Sequence, residues 1–262
     1  MKRKMESECK TNVCEIATLK KLKGVAIKSF EKNTLELKDT MKLKKKLELI
    51  KELPKNELFL PIISVKENEN KITMKMPLMN FDLFSLFDSN PLFFNHRNVS
   101  LIMLQLFKAV KMLHHNGFIH GDIKLENILI DFSSICSSEG FQIVLSDFML
   151  VEKVNPFKKK LYKKIKGSKG YIHPSLFSKN ELFPFQKDVW SLSVLLFILL
   201  KGFYPFCQSN VSLYSKQTQD FQHITQITSS LPESLNFKKI CLESFAKKGD
   251  LQIEYLKNLI LV

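Results

Sequence analysis

The segment that determines the fold of this chain runs from His120 to Asn127 and reads His-Gly-Asp-Ile-Lys-Leu-Glu-Asn. It places an acid, a lysine and an amide at Asp122, Lys124 and Asn127, and a second acid follows at Asp147. Phosphoryl transfer needs such groups, because one carboxylate orients a hydroxyl nucleophile, a second carboxylate and an amide oxygen hold Mg²⁺, and a cation neutralises the transferred group. The segment therefore favours a phosphoryl-transfer site.

At these residues the chain resembles the eukaryotic-type protein kinases, as a divergent member of the Ser/Thr kinase family. The family's His-Arg-Asp is His-Gly-Asp at 120–122, and its Asp-Phe-Gly is Asp-Phe-Met at 147–149. Gly121 replaces the arginine that would bind a phosphorylated activation loop, so loop phosphorylation is not expected to activate the protein. Met149 stiffens the turn after the acid but removes no metal ligand.

The resemblance implies a role for each polar residue of the segment. Asp122 would accept the proton of the substrate hydroxyl, and Lys124 would neutralise the γ-phosphate. Asn127 and Asp147 would hold the metal ion. The implied activity is ATP-dependent phosphorylation of Ser/Thr hydroxyls on protein substrates, a transferase reaction with ATP and Mg²⁺ as cofactors.

The first ninety residues predict a small β-rich lobe. The strand at 24–30 resembles the Val-Ala-Ile-Lys strand of kinases, which implies that Lys28 pairs the α- and β-phosphates of ATP. A helix is predicted over 41–53, closed by Pro54, and it should carry the glutamate that orients this lysine. Glu48 is preferred to Glu52 because it lies nearer the middle of the helix, although both could be solvated surface acids.

The glycine-rich loop of the family is missing at its expected place. Counting back from the strand lysine, this loop should end at Val13, the expected nucleotide contact, and residues 6–13 contain no glycine. Glycines let a backbone approach phosphates closely, and Glu6 and Glu8 have the wrong charge for that contact. The departure favours an alternative function, a pseudokinase that acts as a binding or scaffold protein. A misplaced alignment or a chain truncated at its start are further explanations.

A hinge between two lobes is predicted near residue 79. Strands are expected over 58–65 and 71–76, with a turn at 67–70. The following Pro-Leu-Met-Asn resembles the kinase hinge, which implies that Met76 lies beside the adenine base. Proline has no N–H to donate, so Leu78 or Met79 would contact the adenine edge. Methionines that simply fill the core are the alternative.

The remainder of the chain predicts a mainly helical lobe. Apolar residues recur every three or four positions over 102–113, an amphipathic helix that delivers the loop. Strands are expected at 128–130 and 142–145, joined by a Ser-rich surface insertion at 133–140. Helical tracts are expected at 235–245 and 251–260. These elements and the resemblance imply an α+β, two-lobed protein-kinase fold, one domain over 1–262 with an N-lobe of about 1–79 and a C-lobe of about 80–262.

Two later segments also resemble the family. Residues 167–175 resemble the Gly-Thr-x-x-Tyr-x-Ala-Pro-Glu segment of Ser/Thr kinases, and Ser168 stands at the threonine position, where it would hydrogen-bond the catalytic acid and lysine. A small-molecule kinase is less favoured, because this segment is of the protein-substrate type. Asp188 begins a stretch that resembles the central buried helix, whose acid caps the backbone of the catalytic loop.

The chain carries a formal net charge of +14, almost all of it from lysine, since Arg3 and Arg97 are the only arginines. Such charge raises the possibility of binding to a nucleic acid, an anionic membrane or an acidic partner. Lysines spread over solvated faces are the favoured explanation, and nucleic acid is not expected, because basic and aromatic residues do not interleave. The lysine run at 158–166 raises the possibility of acidic or prephosphorylated protein substrates.

The cysteines and the N-terminal segment indicate the cellular compartment. The five cysteines are scattered and predict reduced thiols, hence a cytoplasmic or nuclear protein. The basic start at 1–4 is not followed by the apolar core of a signal peptide. The apolar run at 189–200 is too short to span a bilayer and predicts a buried helix, so no membrane is expected. The oligomeric state stays open.

Overall fold

The computed structural model describes residues 17–22, 24–34, 36–132, 140–231 and 236–246. Within them a sheet with one helix precedes a mainly helical body, which is the α+β, two-lobed arrangement that the sequence predicts. Val13 with the glycine-free stretch 6–13, most of the predicted insertion at 133–140, and the predicted helix at 251–260 lie outside the described residues.

The N-lobe sheet is antiparallel, with the strand order β1-β2-β4-β3. Its strands are β1 (Ala17–Leu22), β2 (Val25–Glu31), β3 (Ser64–Glu67) and β4 (Lys71–Pro77). The predicted lysine strand is confirmed as β2, and Lys28 lies opposite Met74 of β4. The strand expected from residue 58 begins only at Ser64, because the preceding chain bonds instead to Leu145 of the C-lobe.

One helix, α1 (Leu37–Lys51), packs on this sheet. It begins four residues earlier and ends two residues earlier than predicted. Its buried leucines, Leu43 and Leu47, are one helical turn apart and therefore share one face. This face contacts Phe30, Ile72 and Met74 of the sheet, so the position of α1 follows from apolar burial.

The C-lobe contains six described helices, and side-chain caps fix several of their starts. The first, α2 (Leu83–Ser89), is capped by Asp82, and the second, α3 (His96–His115), by Asn95. The helix α3 confirms the amphipathic pattern, with its apolar face in the main core. The others are α4 (Gln186–Lys201), α5 (Val211–Gln217), α6 (Phe221–Ser229) and α7 (Phe237–Ala246).

Almost all of α4 is buried, as its apolar sequence predicts. It packs against α3 and α7 in the centre of the lobe. No helix in the described ranges is both long enough and apolar enough to cross a membrane. The predicted tract at 235–245 corresponds to α7.

Two small sheets hold the loops at the junction of the lobes. In the first, β5 (Phe81–Asp82), β7 (Ile128–Asp131) and β8 (Gln142–Leu145) lie in that order. This confirms the two strands expected on either side of the insertion. In the second, β6 (Phe118–Ile119) pairs with β9 (Glu152–Lys153). The chain before the 120–127 segment is thereby tied to the chain after Asp147.

Candidate active site

A buried carboxylate holds the backbone of the 120–127 segment. Asp188, at the start of α4, accepts hydrogen bonds from the N–H groups of His120 at 2.9 Å and Gly121 at 2.8 Å, and its Oδ2 lies 2.9 Å from Nε2 of His114. Burial would raise the pKa of Asp188, but the bonds from His114 and from the loop outweigh burial, so the pKa is lowered. The predicted capping role of Asp188 is confirmed.

The three polar residues of the segment lie together. Oδ1 of Asp122 accepts hydrogen bonds from the N–H of Ser168 at 3.0 Å and from its hydroxyl at 2.9 Å. The amide nitrogen of Asn127 donates to the backbone oxygen of Asp122 at 2.8 Å and to its Oδ2 at 3.2 Å. Nζ of Lys124 lies 3.8 Å from the same Oδ2. The predicted bond between Ser168 and Asp122 is therefore present.

Asp147 lies beside Asn127, since the N–H of the preceding Ser146 donates to the backbone oxygen of Asn127 at 2.8 Å, and it adopts an unusual backbone conformation. Its φ and ψ are 57° and 64°, in the left-handed region that few residues other than glycine adopt. Its Oδ2 accepts a hydrogen bond from Nζ of Lys28 at 2.9 Å. Burial would raise its pKa, but the charge of Lys28 outweighs burial and lowers it.

The other oxygen of Asp147, Oδ1, is buried and accepts no hydrogen bond from the described residues. A buried polar atom without a partner is costly, and a bound ion or water commonly completes its coordination. Asn127 offers a second oxygen at this place, because its amide nitrogen is already bonded to Asp122. Carboxylate and amide oxygens suit Mg²⁺, so these residues fit a divalent cation.

A cleft of about 320 Å³ separates the two lobes beside these groups. One end is apolar, with Ala26, Met76 and Leu129 in its walls, and the hinge residues Leu78 and Met79 also line it. The other end is polar and contains Lys28, Asn127 and Asp147. A volume of this size with convergent polar groups suits a small-molecule ligand.

The hinge offers fewer backbone donors than expected. The N–H of Leu78 donates to the backbone oxygen of Gly24 at 3.2 Å, so this donor is engaged within the N-lobe. Of the two donors predicted for the adenine edge, Met79 is therefore the one that the geometry favours.

The preference for Glu48 as the partner of Lys28 was wrong. The side chain of Glu48 is 69% exposed and pairs with Lys51 at 2.7 Å. Glu52 pairs with Lys153 at 2.7 Å. Successive residues of a helix are rotated by about 100°, so Glu48 points away from the sheet when its neighbour Leu47 faces it. The described acid that binds Lys28 is Asp147.

A buried lysine beside Gly121 was not predicted from the sequence. The side chain of Lys187 is 7% exposed, and its Nζ lies 3.5 Å from Oε1 of Glu152 and 4.5 Å from the ring centre of Tyr162. A Cβ atom on Gly121 would come within 3.6 Å of this Nζ. The lysine thus lies next to the place where the family's arginine would begin. A charged residue in the first turn of an otherwise almost wholly apolar helix was the available signal.

Glu152 is held in the same cluster by two cations. Its second oxygen, Oε2, lies 2.5 Å from Nζ of Lys160. Burial would raise the pKa of Glu152, but Lys187 and Lys160 outweigh burial and lower it. Glu152 belongs to β9, so this cluster joins the segment after Asp147 to α4.

Comparisons with known proteins agree with this geometry. A sequence profile of the protein kinase domain matches residues 10–251. The chain is 32% identical over 184 residues to the NUAK family SNF1-like kinase 2 of Rattus norvegicus, across 70% of this chain and 28% of that protein. It is 37% identical over 114 residues to the CBL-interacting serine/threonine-protein kinase 15 of Arabidopsis thaliana, across 43% and 25%.

A third relative is the probable serine/threonine-protein kinase PLK of Dictyostelium discoideum, which is 31% identical over 167 residues, across 64% of this chain and 15% of that protein. The matched regions span less than a third of the length of all three relatives.

Proposed function

Because this chain belongs to the protein kinase family, we propose that it is an active Ser/Thr kinase that transfers the γ-phosphate of ATP to hydroxyls of protein substrates. The observation that carries this proposal is a polar group at one cleft, which Lys28, Asn127 and Asp147 line. Asp122 and Lys124 adjoin it, because Asn127 donates to Oδ2 of Asp122 and Nζ of Lys124 lies near the same oxygen. Loss of activity in this fold would free these positions to vary, and all five are present.

In this proposal Asp122 orients the substrate hydroxyl and accepts its proton. The two bonds from Ser168 to Oδ1 hold the carboxylate in place. Lys124, near Oδ2, neutralises charge on the transferred phosphoryl group. These groups work by position and charge, which are the main sources of catalysis in phosphoryl transfer.

Lys28, Asp147 and Asn127 would hold the nucleotide and its metal ion. The apolar end of the cleft, with Met76, Leu78 and Met79, would take the adenine, and the polar end would take the phosphates. Bound Mg²⁺ would neutralise the β- and γ-phosphate oxygens. The unpartnered Oδ1 of Asp147 supports this assignment. The N-lobe of about 1–79 and the C-lobe of about 80–262 would then work as one catalytic domain.

The substrate segment carries a basic surface. Lys158, Lys163, Lys164 and Lys166 are exposed in the stretch that leads to Ser168, which supports acidic or prephosphorylated substrates. Lysine is common throughout this chain, so charge alone does not select the substrate. Acidic peptides should show a lower KM than neutral peptides, and this difference should shrink as salt is added.

The glycine-free stretch 6–13 favours a second candidate, a pseudokinase that binds partners without transferring phosphate. An assay for transfer of labelled γ-phosphate from ATP to a generic protein substrate distinguishes the active kinase from the pseudokinase. If the chain is an active kinase, the wild type should show Mg²⁺-dependent transfer and Lys28→Ala should show none. Glu48→Gln is the control variant and should remain active. Absence of transfer and of any thermal shift with Mg²⁺-ATP would favour the pseudokinase.

A further inference from the structure

The face of α1 that meets the sheet contains no acid for Lys28. This face presents Leu43 and Leu47 to the sheet, whereas Glu48 is solvent-exposed. Asp39, the buried acid of α1, pairs with Lys42 at 2.6 Å. The lysine that should order the nucleotide is therefore not tied to α1 by an ion pair among the described residues.

Met149 occupies the space between α1 and the loop of Asp147. It stands where the family has glycine, and its side chain is buried, with 6% exposed. It belongs to the same apolar cluster as Leu43, Leu47 and Phe30. The ring centre of Phe30 lies 5.8 Å from Nζ of Lys28. This apolar cluster thus reaches from α1 to the Nζ end of the Lys28 side chain.

A hydrogen bond adds a second link between the same elements. Nζ of Lys46, on α1, donates to the backbone oxygen of Val151, two residues beyond Met149. The helix is therefore joined to the segment 149–151 at two points. Both links act on the segment that begins with Asp147, the ion-pair partner of Lys28.

We propose that Met149 is a positioning residue for the phosphoryl transfer. By packing on Leu43 and Leu47 it fixes α1 against the Asp147 loop, and it thereby holds Asp147 within reach of Lys28 without a glutamate from the helix. Two departures from the family, a helix glutamate that does not pair with Lys28 and a methionine in place of the glycine, are then one compensated change. This inference rests on the proposed function for its kinetic consequence, but its structural consequence can be measured without catalysis.

The test compares Met149→Ala with Met149→Leu and with Met103→Ala. Met103 is fully buried in the main core, on α3, so its truncation controls for general loss of packing. Met149→Ala should speed amide exchange over residues 43–51 of α1, while Met103→Ala should not. It should also raise the KM for ATP by about tenfold, because misplaced binding groups lose affinity and rate together. Met149→Leu should restore both to near the wild-type values.

Unchanged α1 exchange in Met149→Ala would overturn the inference, and so would equal changes in Met103→Ala. If the wild type transfers no phosphate, the proposed function fails, yet the exchange measurement still decides the role of Met149. If the wild type is active and Met149→Ala keeps its KM for ATP, the positioning role is overturned while the proposed function stands.

Discussion

Nζ of Lys28 lies 2.9 Å from Oδ2 of Asp147, so the N-lobe sheet and the loop after β8 meet across the cleft. Both side chains are partly buried, which strengthens their attraction relative to an exposed pair. The same two residues line the polar end of the cleft. Closure of the lobes and assembly of the nucleotide site are therefore linked through one ion pair.

This ion pair predicts a pH-dependent stability. The pKa of Asp147 is lowered below its ordinary 3.8, so the folded state gains stability above this pH and loses it as pH falls through the lowered pKa. Lys28→Met should reduce Tm at pH 7, and the difference from the wild type should shrink as pH falls below 3.8 towards the lowered pKa of Asp147. Thermal unfolding of both proteins across this pH range measures the difference in Tm. A difference that stays constant with pH would contradict the prediction.

The bonds from Ser168 to Asp122 predict a selective loss of rate. Ser168→Ala removes the hydroxyl donor at 2.9 Å but keeps the backbone donor. We expect kcat to fall about tenfold, in the range of one lost hydrogen bond to a charged group, with little change in the KM for ATP. Ser168→Thr keeps the hydroxyl and should retain most activity. Equal loss in both variants would show that the hydroxyl is not what matters.

Asp188 predicts a large loss of stability when it is replaced. Asp188→Ala removes the acceptor of two backbone N–H groups and of His114 in the core. We expect a loss of about 3 kcal/mol in the free energy of unfolding, because buried charged networks are costly to break. Asp220→Ala removes only the exposed cap of α6 and should cost about 1 kcal/mol. Urea unfolding gives the free energy of unfolding of both variants. Equal losses of stability would contradict a special contribution from the buried bonds of Asp188.

The cluster beside Gly121 predicts activity that does not depend on loop phosphorylation. Lys187→Met would leave Glu152 buried without one of its cations, so the segment after Asp147 should loosen and kcat should fall by about tenfold or more. Lys108→Met, at an exposed lysine of α3, should leave kcat unchanged. Treatment of the wild type with a phosphatase should also leave activity unchanged, and a loss after this treatment would contradict the prediction.

The parts of the fold that sequence could predict are those with local signals. The strand carrying Lys28, the helix α3 and the strands β7 and β8 have the periodicity or composition of their class. The capping role of Asp188 followed from its position in a longer motif. Each of these signals lies within one short segment of chain.

The parts that sequence could not predict depend on contacts between distant segments. Glu48 of α1 has an apolar neighbour on each side, Leu47 and Leu49. The local sequence therefore does not show which face of the helix is buried, and docking on the sheet decides it. The burial of Lys187 depends on the space that Gly121 leaves. Helix propensity and charge carry no information about either relationship.

The most direct test of the central claim is the rate of phosphate transfer by Asp122→Asn, measured beside the wild type at saturating Mg²⁺-ATP. This change keeps the size of the side chain but removes the carboxylate that would accept the proton. The account predicts that kcat falls by about 10²–10⁴-fold, the usual contribution of a general base, while nucleotide binding is retained. Wild-type-like transfer by Asp122→Asn would contradict the assignment of this site.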